Sequence, residues 1–353
     1  MPFATPQQGY ALMTARTLEF TEAAVRSLPP VAKPSWRGRM FNAAFGIVGS
    51  PLTPRMRDGA ASFDIATARP VVHRAESLMT FAPRGMQVEQ AACAPVAADW
   101  ITMPQSEAGR IILFAHSGSF IFGRSRLHHA LAARICQQAH ASALAVNYSL
   151  APERPFPAAL NNLVTAYEWL LAEGISPGQM QILGDSAGGG IVLGALIKLR
   201  DKGLPMPAAM TLLAPWADLT LSGRSLLTNA RKASLSNNIE MMMICRELYL
   251  QGHTPADPLA SPVFADLSGL PPALIQVSSS DILLDDAVRI DEALHRGGTE
   301  TEFRLYPPMP HGWQRLGALL PESRRALTEI AVFIDGRFEA ATRAERSQDQ
   351  YHV

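Results

Sequence analysis

From about residue 85 the chain alternates short apolar runs with longer helical patterns, and this alternation restricts the fold more than any other feature. Six runs read as strands: RIILFAH (110–116), ALAVNYSL (143–150), QMQILGDS (179–186), AAMTLLAP (208–215), ALIQVSSSD (273–281) and TEFRLYPP (301–308). Helical spacing fills most of the intervals, at His128–Ala139, Ala158–Leu171, Gly189–Lys202, Asp285–Arg296 and Glu322–Arg346. Strands that are mostly apolar, interleaved with helices, predict a mostly parallel central sheet covered on both faces. Met86–Ala94 and Trp100–Met103 are expected to add antiparallel strands at one edge.

Outside this region the texture differs. Within residues 1–80, Ala11–Leu28 is expected to be helical and stopped by Pro29-Pro30, and a second helix near Trp36–Val48 to end at Gly49-Ser50-Pro51. Residues 217–260 interrupt the alternation with a Met-rich helical stretch, NIEMMMICRELYL, and the tail after residue 340 is polar. The expected division is therefore 1–80, 81–216, 217–260, 261–340 and 341–353.

Composition narrows the function. The chain of 353 residues carries 31 basic and 31 acidic side chains, and this balance argues against a nucleic-acid partner. Hydrophobic residues make up 48%, enough for a large core. The three cysteines fit neither a disulfide framework nor a metal knuckle and suit a reducing compartment. With no basic and apolar leader at the N-terminus and no membrane-length apolar run, the expectation is a cytoplasmic protein without stable membrane insertion. No G-x-G-x-x-G follows a strand, and neither a Walker A lysine nor H-E-x-x-H occurs, so no metal or nucleotide cofactor is expected.

The chemistry centres on Gly184-Asp185-Ser186-Ala187-Gly188, a G-x-S-x-G pattern between the strand QMQIL and a helix. Strand, sharp turn and helix form the context of a nucleophile elbow, with the helix N-terminus behind the serine. A serine nucleophile needs a base, and the base needs an orienting carboxylate. Asp281 closes one strand run and His311 follows another, in the order the elbow fold requires. Asp285 and Asp286 are rivals to Asp281 but read as the first turn of the next helix. His128 and His129 open a helix and are expected to be solvated.

Further motifs carry a resemblance. HSGSFIFG (116–123), YSLAPERPFPAAL (148–160), GDSAGG (184–189), DILLD (281–285) and HGW (311–313) occur in the order and spacing of the hormone-sensitive-lipase family of α/β-hydrolases, the bacterial family IV esterases, which this chain resembles from about residue 85 to 335. The resemblance implies an α/β-hydrolase fold with a helical cap formed by 1–80 and 217–260. It implies Ser186 as nucleophile, His311 as base and then acid, and Asp281 as the orienting carboxylate. The N–H groups of Gly118, Ser119 and Ala187 would form the oxyanion hole, with His116 bracing its loop. Phe122, Trp216 and the Met241–Met243 run are candidate pocket or cap residues, with ordinary core packing as the alternative for each.

The family pattern H-G-G-G is here His116-Ser117-Gly118-Ser119. A serine forced to positive φ would cost about 1–2 kcal/mol. The expected activity is serine carboxylic-ester hydrolysis of short- to medium-chain esters through an acyl-enzyme. A lactone hydrolase with the same triad is the alternative, followed by a catalytically silent small-ligand binder on the same fold. A serine at the elbow, not an aspartate, sets epoxide hydrolase and dehalogenase chemistry aside. The resemblance also implies a homodimer through the sheet edge, with TEFRLYPP as the candidate edge strand.

Overall fold

The structure is a computed structural model that describes residues 31–48, 64–78, 80–230 and 239–351. Its centre is an eight-stranded sheet in the order β1-β2-β4-β3-β5-β6-β7-β8. The strands are β1 (Gln87–Ala91), β2 (Ala98–Thr102), β3 (Ile111–Ala115), β4 (Ser142–Val146), β5 (Met180–Asp185), β6 (Ala209–Leu213), β7 (Ala273–Ser278) and β8 (Thr301–Tyr306). Strands β3 to β8 are all parallel, and β2 runs antiparallel to both β1 and β4. The edge pair anticipated from Met86–Ala94 and Trp100–Met103 is thus present, and β8 closes the opposite edge.

The apolar runs are continuous because both faces are covered. Ile111, Leu113 and Ala115 of β3 enter one core, together with Leu144, Val146, Ile182, Ile275 and Val277. Their alternating neighbours Ile112, Phe114, Ala143, Ala145, Leu183 and Leu274 enter the other. This is the period-two division of a pleated strand, with each face meeting helices.

The described helices are α1 (Trp36–Val48), α2 (Ile65–Leu78), α3 (Arg126–Ala139), α4 (Ala158–Ala172), α5 (Ala187–Asp201), the single turn α6 (Ser225–Thr228), α7 (Ile239–Leu250), α8 (Leu284–Arg296) and α9 (Pro321–Tyr351). Side chains of α4, α5, α7 and α8 fill the first core, and those of α3 and α9 the second. No helix of the described residues is long and apolar enough to cross a membrane. Cys93, Cys136 and Cys245 are buried and free. The helix anticipated at Ala11–Leu28 lies outside the described residues.

Two strands end three or more residues before their apolar runs do. β4 stops at Val146, where Asn147 donates its N–H to Ala97 O and Tyr148 turns onto His116. β7 stops at Ser278, and Ser279–Asp281 leave the sheet to build a loop. In both cases the last residues of the run serve the loops at the carboxyl edge of the sheet.

Candidate functional site

Parallel strands bring their carboxyl ends to one edge, and the chemistry-bearing residues collect there. His116 follows β3, Ser186 follows β5, Trp216 lies beyond β6, Asp281 follows β7 and His311 follows β8. Such an edge is where ligands bind in open α/β sheets.

Ser186 occupies φ 56°, ψ −117° at the start of α5. A non-glycine residue held there costs about 1–3 kcal/mol. The surrounding backbone enforces it: Ser186 N–H donates to Leu213 O at 2.8 Å, while Ser186 O accepts from Gly189 N–H at 2.8 Å and from Trp216 N–H at 3.0 Å. Gly188 has no side chain because a Cβ would collide with the carbonyl oxygens of Ala115 and His116. The start of α5 is thereby pressed against the loop after β3.

Asp281 and His311 meet directly. His311 Nδ1 lies 2.8 Å from Asp281 Oδ2, with the carboxylate side chain fully buried and the imidazole 10% exposed. Leu283 N–H donates to the other carboxylate oxygen at 3.0 Å, so the acid is held from two sides. Burial pushes the His311 pKa down, but the charge and hydrogen bond of Asp281 outweigh it and leave the ring above its ordinary value. The loop carrying His311 is tied to β7 by two serines. Ser278 Oγ accepts from Met309 N–H at 2.8 Å and donates to Pro307 O, and Ser280 Oγ donates to Met309 O at 3.2 Å. Those serines were not among the candidates, although they stand beside Asp281 in QVSSSD.

The loop after β3 is built around Gly118, at φ 134°, where a Cβ would collide with the Phe122 carbonyl oxygen. Its own carbonyl accepts from the N–H groups of Ile121 and Phe122, at 3.0 and 2.8 Å. Ser119 takes φ 51° and pays the positive-φ cost, whereas Ser117 is not in that region. The Ser119 side chain faces the Cys245 thiol on α7. His116 is stacked on Tyr148 with ring centres 4.1 Å apart, and its Nδ1 donates to Ser117 O at 2.7 Å. Burial drives His116 down to about 4, so the ring is neutral. Gly118 and Ser119 lie on the loop after β3, and Ala187 is the first residue of α5.

Two expectations need correction. His128 and His129 are buried, at 1% and 7% exposure, not solvated. Ser125 N–H donates to His128 Nδ1 at 3.0 Å, so the neutral ring carries its proton on Nε2, 2.8 Å from Ser117 Oγ. His129 faces Asp99 of β2, which also pairs with Arg124. Trp216 is enclosed: its indole N–H donates to Asp218 O and its ring packs on Phe120, so it belongs to the core beneath the loop and does not form an open pocket wall. Phe122 is partly buried, and Met241 and Met243 pack against the first core. Asp285 and Asp286 do begin α8, but they are buried acceptors: Asp286 Oδ2 takes the N–H groups of Ala217 and Asp218, both at 2.9 Å.

Comparison with known proteins agrees with this fold. Residues 112–315 match the family model described as alpha/beta hydrolase fold. The chain is 41% identical over 237 residues to an acetyl-hydrolase of Streptomyces hygroscopicus, covering 67% of this chain and 79% of that protein. It is 36% identical over 230 residues to an esterase of Acinetobacter venetianus, covering 65% and 76%. Among solved structures, an esterase from the bacterial hormone-sensitive lipase family superposes with TM-score 0.76 and 33% identity, covering 92% of this chain and 99% of that one. A hormone-sensitive lipase from a metagenome library gives TM-score 0.79 and 30% identity, covering 87% and 100%. A parallel sheet with an elbow serine at its carboxyl edge defines an α/β-hydrolase. The chain belongs to that family, within its bacterial hormone-sensitive lipase branch, and is a carboxylesterase-type hydrolase.

Proposed function

We propose that Ser186, His311 and Asp281 hydrolyse short-chain carboxylic esters through an acyl-enzyme. The observation that carries this reading is the 2.8 Å contact between His311 Nδ1 and Asp281 Oδ2 at the same sheet edge as the strained elbow serine. With its Nδ1 proton held by the carboxylate, neutral His311 has its lone pair on Nε2. That nitrogen takes the Ser186 Oγ proton as the oxygen attacks the ester carbonyl. The tetrahedral oxyanion accepts hydrogen bonds from the N–H groups of Gly118, Ser119 and Ala187, each worth roughly 10²–10³ in kcat. His311 then protonates the departing alkoxide. Water, deprotonated by His311, releases the acid from Ser186.

The preference for short acyl groups rests on the similarity to an acetyl-hydrolase. In this reading the described parts of 1–80 and of 217–260 belong to the cap. Three contacts support it. Arg69 of α2 donates to Ile121 O and Ala151 O, both at 2.7 Å, beside the oxyanion loop. Asn42 of α1 donates to Pro308 O at 2.7 Å, beside the His311 loop. Tyr249 of α7 stacks on Phe120 with ring centres 4.0 Å apart.

The test is hydrolysis of p-nitrophenyl esters of increasing acyl length, with a simple lactone alongside, by wild type and Ser186→Ala. Turnover highest for acetate or butyrate and abolished in the variant is expected. A lactone preference would replace the ester reading with its alternative, and a folded but inactive wild type would favour the silent binder.

A further inference from the structure

The Arg315 side chain reaches three loops of the site at once. Its Nη1 donates to Ser117 Oγ at 3.0 Å on the oxyanion loop, and its Nε donates to Gly312 O at 3.3 Å, next to His311. The same Nε lies 3.6 Å from Asp185 Oδ2, the residue before the elbow serine. The guanidinium is 15% exposed and the Asp185 side chain is 2% exposed, so the pair is largely withdrawn from water. Gly312 leaves the space: it has φ 69°, and a Cβ there would collide with the Arg315 fork. The Arg315 carbonyl in turn accepts from Arg134 Nη1 at 3.3 Å, which ties this turn to α3.

The link to the oxyanion loop depends on a residue in which this chain departs from the H-G-G-G pattern. Glycine at 117 would offer no side-chain acceptor. Ser117 Oγ accepts from both Arg315 Nη1 and His128 Nε2, so the loop is held from the His311 turn on one side and from α3 on the other. A planar fork with fixed donor directions suits such a junction better than a point charge.

We propose that Arg315 is a positioning residue that locks the oxyanion loop, the elbow and the His311 turn into one register and holds the charge balance around the base. Among the described residues, the charged groups that face His311 are Asp281 from the β7 loop, Asp185 from the elbow and Arg315 from its own turn. Both carboxylates favour the protonated ring and Arg315 opposes them. Removing the guanidinium therefore deletes the opposing charge and leaves Asp185 unpaired, and both effects stabilise the imidazolium.

This inference rests on the triad reading, and the experiment separates the two. Steady-state pH profiles on p-nitrophenyl butyrate are compared for wild type, Arg315→Met, Arg315→Lys, Ser117→Gly and Ser186→Ala. Arg315→Met is expected to lose about tenfold or more in kcat with little change in KM, as expected when reacting groups lose register. Its acid limb moves to higher pH. Arg315→Lys restores the limb but only part of kcat, and Ser117→Gly lowers kcat without moving the limb. A wild-type limb and kcat in Arg315→Met, while Ser186→Ala is dead, overturns this inference and leaves the triad standing. Activity surviving in Ser186→Ala removes the triad reading instead. If Arg315→Met does not fold, the lysine and glycine variants carry the test as a double-mutant cycle. Non-additive losses are then expected, and unchanged kcat in both single variants refutes the junction.

Discussion

Asp281 and His311 follow neighbouring parallel strands and meet at 2.8 Å, between Oδ2 and Nδ1, although they stand 30 positions apart in the sequence. The intervening chain is α8, β8 and the turn that Ser278 and Ser280 fasten to β7. The contact is therefore a consequence of sheet order, and it fixes both the tautomer and the direction of the ring.

Under the proposed triad, that contact sets the pH dependence. A general base works only when neutral, so kcat/KM falls as pH drops through the His311 pKa. Burial lowers that pKa, but Asp281 raises it further, so the acid limb is expected above the ordinary value of 6.5. Asp281→Asn removes the raising cause and leaves burial, so the limb of the residual activity moves to lower pH. Its kcat is expected to fall about 10⁴-fold, the loss seen when a serine-triad acid is neutralised. Both effects are read from one pH–rate series.

Gly118→Ala tests the oxyanion loop. The new methyl group collides with the Phe122 carbonyl oxygen at a residue with φ 134°. The loop must shift and the N–H groups of Gly118 and Ser119 lose their aim. The expected result is a kcat lower by roughly 10²–10³ with KM little changed. Circular dichroism should show an unchanged fold.

Ser278→Ala tests whether the base loop needs its tether. Ser278 Oγ takes the Met309 N–H in a buried setting, and losing such an acceptor costs about 1–3 kcal/mol. Both a lower melting temperature and a lower kcat are expected, because the loop that loosens carries His311.

Asp286 yields a stability prediction independent of catalysis. Burial, and then the neighbouring Asp218 charge, hold its carboxyl well above the usual carboxylate range, with Arg289 opposing. A carboxyl raised on folding contributes stability below its unfolded pKa and loses it as pH rises through the folded value. Asp286→Asn keeps an acceptor for the N–H groups of Ala217 and Asp218 without the charge. It is expected to be as stable as wild type or more so at pH ~8, with the gap closing toward pH ~4, near the unfolded carboxylate pKa. Asp286→Ala leaves two buried donors unpaired and should lose about 2–4 kcal/mol in urea titration.

Much of this site was legible because strand ends are legible. Apolar runs bounded by Gly184, Asp281 and the Pro307–His311 turn mark where β5, β7 and β8 leave the sheet, and a parallel sheet gathers those points whatever the connections between them. What escaped depends on contacts between distant elements. His128 and His129 look solvated on their own helix; they are buried because Ser117 comes down from β3 and Asp99 from β2. Arg315 is one cation in a short 3₁₀ segment, and nothing local shows that its fork lies beside Ser117 and Asp185. Trp216, read as a pocket candidate, is enclosed because Phe120 turns inward at φ 66° and packs between it and Tyr249.

The most direct test of the account is to react the protein with a fluorophosphonate ester analogue, measure intact mass and map the modified peptide. One adduct per chain, located on Ser186 and absent from Ser186→Ala, is the predicted result, with label incorporation slowed in Asp281→Asn. An adduct on another residue, or wild-type ester turnover in Ser186→Ala, would contradict it.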